Sequence, residues 1–153
     1  MRKELDDLLC QRYPKIFAER NLPKNQTCMC WGFTHEDGWF TIVDRLCATI
    51  QWHLDQFPHI PQVVAKQVKE KFGGLRFYYE GGDDVVDGAV RLAEALSLRT
   101  CEDCGTTVGV GQTRHWVYTR CKTCLEKLGD RAKNGEWKSW DEMDTERVKN
   151  ESK

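Results

Sequence analysis

The chain has 153 residues, 40% of them hydrophobic and 31% charged, with six tryptophans and a formal net charge of −1. This composition excludes a disordered chain, and the near-neutral balance excludes a protein held to nucleic acid by bulk electrostatics. No apolar run approaches the roughly 18 residues that span a bilayer. The opening MRKELDDLLCQRYPK also lacks the apolar segment of a secretion signal, so the expected compartment is the cytoplasm.

Residues 4–20 read as helical, with Leu5, Leu8 and Leu9 on one side and a break at Pro14. NLPKNQ (21–26) is a loop, CMCWGF (28–33) has the aromatic character of a short strand, and THEDG (34–38) supplies a turn. From Trp39 to Phe57, Ile42, Val43, Leu46, Cys47, Ile50, Leu54 and Phe57 recur at three- and four-residue steps, the stripe of an amphipathic helix ended by Pro58 and Pro61. A second helix is expected over Gln62–Phe72, with Val63, Val64, Val68 and Phe72 inward, Lys66, Lys69 and Lys71 outward, and Gly73 as C-cap. LRFYYEG (75–81) alternates as a strand, with Leu75, Phe77 and Tyr79 on one face and Arg76, Tyr78 and Glu80 on the other. After the GGDD turn, Val85, Val86, Ala89, Leu92, Ala93 and Leu96 define the buried face of a third helix over Asp84–Leu98.

The cysteines carry the sharpest signal. Cys101 and Cys104, then sixteen residues, then Cys121 and Cys124 form two C-x2-C pairs. Two intervening residues let both sulfurs of a pair reach one ion, and two pairs complete a tetrahedral zinc site. CEDCG forms a knuckle, TTVGVGQTRHWVYTR a hairpin, and CKTCLEKLGDR the start of a helix. That order matches a treble-clef finger, with a zinc ribbon as the alternative. Four protein ligands leave no open coordination position, so the single zinc is expected to be structural. A redox pair normally stands alone at a helix start, which disfavours that use of either pair. The other cysteines, Cys10, Cys28, Cys30 and Cys47, read as mostly buried thiols.

Two stretches offer a binding surface. Arg114, His115, Trp116 and Arg120, followed by Lys122, interleave cations with aromatics in a way that can grip phosphates and stack bases. Residues 99–140 are also the one basic stretch, with eight Lys/Arg against five Asp/Glu. The plain structural alternative packs the hairpin's aromatics on the domain and leaves its cations in water. In KEKFGGLRFYYEGGDD, Arg76 could hold an anionic group and Tyr78 stack on a ring; the alternative is a helix C-cap, an edge strand and a turn. Cys28, Cys30 and His35 form a weaker second metal candidate. His53 and His59, around Pro58, are expected in solvent. Cys47 and His53 lie on different helical faces and make a poor nucleophile pair. The GVG of 109–111 is a turn and lacks dinucleotide-binding context. No histidine follows His115, which removes an HNH-type nuclease.

CMCWGF, DGWFTIVDRLCATIQ, PQVVAKQVKEKFGGLRFYYEGGDD and RTCEDCG, with the second C-x2-C, together resemble a family of small proteins from tailed bacteriophages and their prophages. The resemblance spans roughly 10–125, and KEKFGGLRFYY and CxxCG are its most specific blocks. It implies an accessory role in an infected bacterial cytoplasm and carries over no catalytic residues.

The expectation is an α+β protein: three main helices on a small antiparallel sheet over 1–99, a docked four-cysteine finger over 100–140, and a charged tail over 141–153 expected to fray, with Trp137 and Trp140 anchoring it. The expected function is non-enzymatic binding of a host protein or small anionic ligand, as in counter-defence. The alternative is nucleic-acid binding through the finger hairpin.

Overall fold

The computed structural model describes residues 1–129 and 136–151. The chain is α+β, with five α-helices and two three-stranded sheets among the described residues. Helix α1 (Lys3–Arg12) stops before Pro14 as the sequence requires. The following loop is fixed by Arg20, which donates from Nε and Nη2 to the buried carboxylate of Asp6, both at 3.0 Å. Helix α2 (Phe40–Gln56) buries Val43, Leu46, Cys47, Ile50 and Leu54, as its stripe predicts. Phe57, just beyond, stays exposed.

Residues 62–72 do not form a helix. Val64–Lys71 is strand β2, paired antiparallel with β3 (Gly74–Glu80). The register shifts between Ala65 and Gln67, so Lys66 is the extra residue of a β-bulge. The bulge puts Ala65 and Val68, three positions apart, both into the core. A three-residue spacing of buried side chains is what a helix would give, and this is why the periodicity misleads. Phe72, expected inward, is 74% exposed. The CMCWGF segment is likewise not a strand over its length. Met29–Trp31 makes a 3-10 turn and Gly32 takes φ +71 beside the Asp6–Arg20 pair, leaving strand β1 only Phe33–Thr34. Because β1 runs parallel to β2, the sheet β1-β2-β3 is mixed and not purely antiparallel.

Helix α3 (Asp84–Ser97) is capped by Asp83, whose carboxylate accepts from Val85 N and Val86 N and from His53 Nε2 at 2.9 Å. That contact makes His53 buried, contrary to the solvent position expected for it, while His59 is exposed. The buried residues of α3 are Val86, Val90, Ala93 and Ser97. Val85, Leu92 and Leu96, assigned to the core by periodicity, are exposed. Gly88 stands in the helix interior, and a Cβ built on it would meet no atom within 4 Å. Nothing within the chain repays the roughly 1 kcal/mol that a helical glycine costs relative to alanine. Helix α3 also closes the outer edge of β3: Ser97 Oγ accepts from Leu75 N at 2.8 Å and Glu94 Oε1 from Phe77 N at 3.1 Å.

The second sheet, β5-β4-β6, comprises β4 (Val110–Thr113), β5 (Thr119–Cys121) and β6 (Trp137–Ser139), with the short helix α4 (Lys122–Glu126) after β5. The helix expected after the second cysteine pair extends in the sequence to 131, and 130–131 lie outside the described residues, as do 152–153 of the tail. Over its described residues the tail forms helix α5 (Trp140–Glu151), none of whose residues is buried. Trp137 Nε1 donates to Arg120 O at 3.1 Å and Trp140 Nε1 to Leu98 O at 2.6 Å. Arg99 stacks on the Trp140 ring at 4.4 Å and pairs with Asp144 at 2.9 Å, so the two tryptophans anchor the tail as expected.

His35 is buried against Phe33 and Trp39, and burial lowers its pKa to about 4. An unfolded chain binds that proton near pH 6.5, so the contribution of His35 to stability is full above pH 6.5 and is lost as pH drops toward 4. Roughly 3 kcal/mol should be lost across this window. Urea unfolding at pH 7 and pH 4.5 checks it: His35→Gln should show a smaller pH dependence than the parent chain.

Candidate metal centre

The four predicted cysteines converge. Their sulfurs all lie within 4.8 Å of one another, with Cys101 and Cys124 buried, Cys121 partly so and Cys104 exposed. Cys101 and Cys104 come from the knuckle after Thr100, where Gly105 takes φ +76 and donates to Cys101 O at 2.9 Å. Cys121 ends β5 and serves as N-cap of α4, and Cys124 sits in that helix. Cys104 Sγ and Cys121 Sγ are 3.8 Å apart. A tetrahedron with metal–sulfur bonds of about 2.3 Å has edges of about 3.8 Å, so the spacing fits a tetrathiolate ion site. Electrostatics favour the same reading. Burial, then hydrogen bonding with Asp103, pushes the Cys124 thiol well above its usual range. Thiolates this close need a cation among them.

The knuckle is pressed onto the core at Gly38. Gly38 N donates to Glu102 O at 2.7 Å, and a Cβ at this position would lie 2.2 Å from Cys101 O. The adjacent Trp39, fully buried, donates from Nε1 to Thr100 O at 2.9 Å. Glu102 Oε1 in turn accepts from Glu36 N at 3.2 Å. A second clamp joins the finger to the β2–β3 turn: Thr119 Oγ1 donates to Gly73 O and accepts from Gln112 Nε2 at 2.9 Å.

The remaining candidates separate into two groups. Arg120, expected on the binding surface, is buried and aimed at Glu102 (3.8 Å) and Asp103 (3.5 Å). It neutralises the acids of the knuckle and cannot reach a phosphate in solvent. Burial raises Glu102 to about 6, against the pull of Arg120. Arg76 packs toward Glu94 at 3.8 Å, while Tyr78 is exposed with Lys69 5.9 Å from its ring. Arg114 pairs with Glu136 at the surface, and Lys122 is exposed. His115 and Trp116 join Glu70, Lys71, Phe72 and Val117 around a cleft of about 330 Å³. Trp116 is 73% exposed, matching Phe72 across this cleft. Phe72 (φ +54) and His115 (φ +64) are also the two non-glycine residues with positive φ among the described residues. Sequence reasoning placed Phe72 in the core; its signal was the Gly-Gly pair after it, which marks a tight turn and not a helix cap.

Cys28, Cys30 and His35 do not assemble into a metal-binding group among the described residues. Cys28 is exposed, Cys30 Sγ donates to Thr27 O at 3.2 Å, and His35 Nδ1 lies 2.8 Å from Glu36 O. Of the thiols expected to be mostly buried, Cys47 is fully so and Cys10 and Cys30 only partly. Burial raises Cys47 well above the ordinary thiol range, the opposite of an activated nucleophile. No helix among the described residues is long and apolar enough to cross a membrane. No family model, curated protein or solved structure matches the chain.

Two outcomes follow from the knuckle. Mass spectrometry under native conditions should find one divalent ion per chain, removed by a strong chelator with a fall in melting temperature; Cys121→Ser should abolish retention. Gly38→Ala should cost roughly 2 kcal/mol or more, because its new Cβ meets backbone and not a side chain that can move. It should also weaken the metal in a competitive chelator titration. Gly88→Ala, with open space around it, should do neither.

Proposed function

We propose that the chain is a non-enzymatic binding protein in which a structural zinc, held by Cys101, Cys104, Cys121 and Cys124, locks a treble-clef finger onto an α+β core. Zinc is the ion that best suits four thiolates in a closed tetrahedral set. The knuckle, the hairpin β4–β5 and the helix carrying Cys124 support the treble-clef reading over a two-hairpin ribbon. The ligand enters the cleft between the β2–β3 turn and the finger hairpin.

The observation that carries this is the pair of exposed aromatics, Phe72 and Trp116, held beside Lys71 and His115. Isolated exposed aromatics are ordinary, but here two flank one cleft and positive-φ residues shape both of its walls. Rings with a cation beside them favour a planar, anionic ligand, through stacking and charge together. A host-made nucleotide-like molecule has that chemistry. An accessory role of a tailed phage in the bacterial cytoplasm, neutralising such a molecule or the host protein that uses it, fits the resemblance of the sequence.

The second reading is single-stranded nucleic acid. Exposed Arg114 and Lys122 on the same finger favour it; Arg120 no longer does. The two readings separate in one titration, followed by tryptophan fluorescence, of nucleotides and of a short single-stranded oligonucleotide. Trp116→Ala should weaken binding roughly tenfold in either case, the value of one lost stacking contact. Under the second reading alone, oligonucleotide binding falls steeply with salt, and neutralising Arg114 lowers the salt slope by about one. Unchanged binding in both Trp116→Ala and Phe72→Ala would sink the cleft as the site.

A further inference from the structure

The outer face of the sheet β1-β2-β3 carries a charge arrangement that stability alone does not favour. Side chains alternate along a strand, so Gln67, Lys69 and Lys71 of β2 share the face turned away from buried Val68. On β3 the same face holds Arg76 and exposed Tyr78. The register sets Lys69 directly opposite Arg76, and Lys71 opposite Gly74. Like charges placed opposite one another destabilise a sheet. Neither lysine offsets this with an ion pair among the described residues. Lys69 Nζ lies 5.9 Å from the Tyr78 ring centroid, and Lys71 Nζ lies 5.4 Å from that of Phe72. Arg76 is only partly engaged: its Nη1 donates to Leu75 O at 2.6 Å and lies 3.8 Å from Glu94, which leaves Nε and Nη2 for a ligand. Gly74 leaves room for that guanidinium. A Cβ there would lie 3.0 Å from Arg76 Nη1, and its φ lies outside the left-handed region, so the backbone does not demand a glycine.

We infer that this face holds the phosphate chain of the ligand whose ring stacks between Phe72 and Trp116, so that the protein selects nucleotides with two or more phosphates. The inference rests on the cleft reading above, and Lys71 joins the two sites: it lines the cleft and shares the sheet face with Lys69. Lys69 lies two residues, about 7 Å, beyond Lys71 along β2. A single phosphate at the mouth of the cleft meets Lys71 alone, and a chain of two or three continues to Lys69 and Arg76. Two ammonium groups and a planar guanidinium are a donor set suited to phosphate oxygens. The bound charge also removes the cost of setting Lys69 against Arg76. Of the acids nearby, Glu70 turns Oε1 to Gly73 N at 2.6 Å, and Glu80, at the far end of β3, pairs with Lys66 at 3.0 Å.

The test is a tryptophan-fluorescence titration of the metal-loaded chain, without added magnesium, with adenosine, guanosine and their mono-, di- and triphosphates. In the tighter of the two series, affinity should rise roughly tenfold or more from monophosphate to triphosphate, the worth of one charged hydrogen bond. Lys69→Gln should remove most of that gain and leave nucleoside binding unchanged, while Lys69→Arg keeps it. Without nucleotide, Lys69→Gln should melt no lower than the parent, because it relieves the like-charge opposition. A variant that had lost its fold could not do both. Equal affinity for mono- and triphosphates overturns the inference and leaves the cleft reading standing, as does a Lys69→Gln chain that discriminates as the parent does. The sheet face is also read by itself: inorganic tripolyphosphate should shift the backbone amide signals of Lys69 and Gly74 in a nitrogen–proton NMR spectrum. Shifts there, with no quenching by any nucleotide, support the phosphate site and sink the stacking cleft. No shift at either amide overturns the inference.

Discussion

One close approach, backbone against backbone, organises this molecule: Gly38 lies directly on the loop that carries Cys101. No other residue type fits, and the amide of Gly38 is spent on Glu102 O. From this point the coupling runs both ways. Trp39 extends it into the core, where its ring is fully buried and its indole N–H holds Thr100 O. The metal ligands extend it into the finger. A finger this small has little core of its own, with Val110 and Leu125 as its buried aliphatic residues besides the cysteines. Its orientation therefore comes from what it is pressed against. The second clamp, at Gly73, sets the spacing between the β2–β3 turn and the finger hairpin and so creates the cleft between them.

How much of this could be read in one dimension depends on how local each cause is. Helix α2 is legible because a stripe of six apolar residues, Ile42 to Leu54, is written into adjacent turns. The cysteine cluster was legible for a similar reason, since two fixed spacings determine which sulfurs can share an ion. Strand β2 was not, because a single inserted residue, Lys66, turns a period of two into a spacing of three. The outer face of α3 was misjudged for a different reason. Periodicity identifies an apolar stripe, but only the packing decides whether this chain covers all of it. Arg120 shows the limit most clearly: a cation among aromatics reads as a surface group until Glu102 and Asp103 fold around it.

The near-zero net charge also takes on a structural meaning. Several cations are committed within the fold: Arg20 to Asp6, Lys66 to Glu19 and Glu80, Arg99 to Asp144, and Arg120 to the knuckle acids. What remains at the cleft is Lys71, with His115 and Glu70 beside two bare rings. A surface of that kind recognises by shape and stacking more than by long-range attraction, and its affinity depends little on total charge.

The capping of β3 by α3 has a consequence of its own. An open strand edge invites another chain to add a strand, whether a peptide partner or a second molecule on the way to aggregation. Here Ser97 and Glu94 occupy two outward amides of β3, and the opposite edge, β1, is only two residues long. The mixed sheet is thus poorly suited to the addition of a further strand at either margin. A partner that meets this sheet is therefore met by side chains and not by main-chain pairing, which makes such a contact sensitive to single substitutions on the partner.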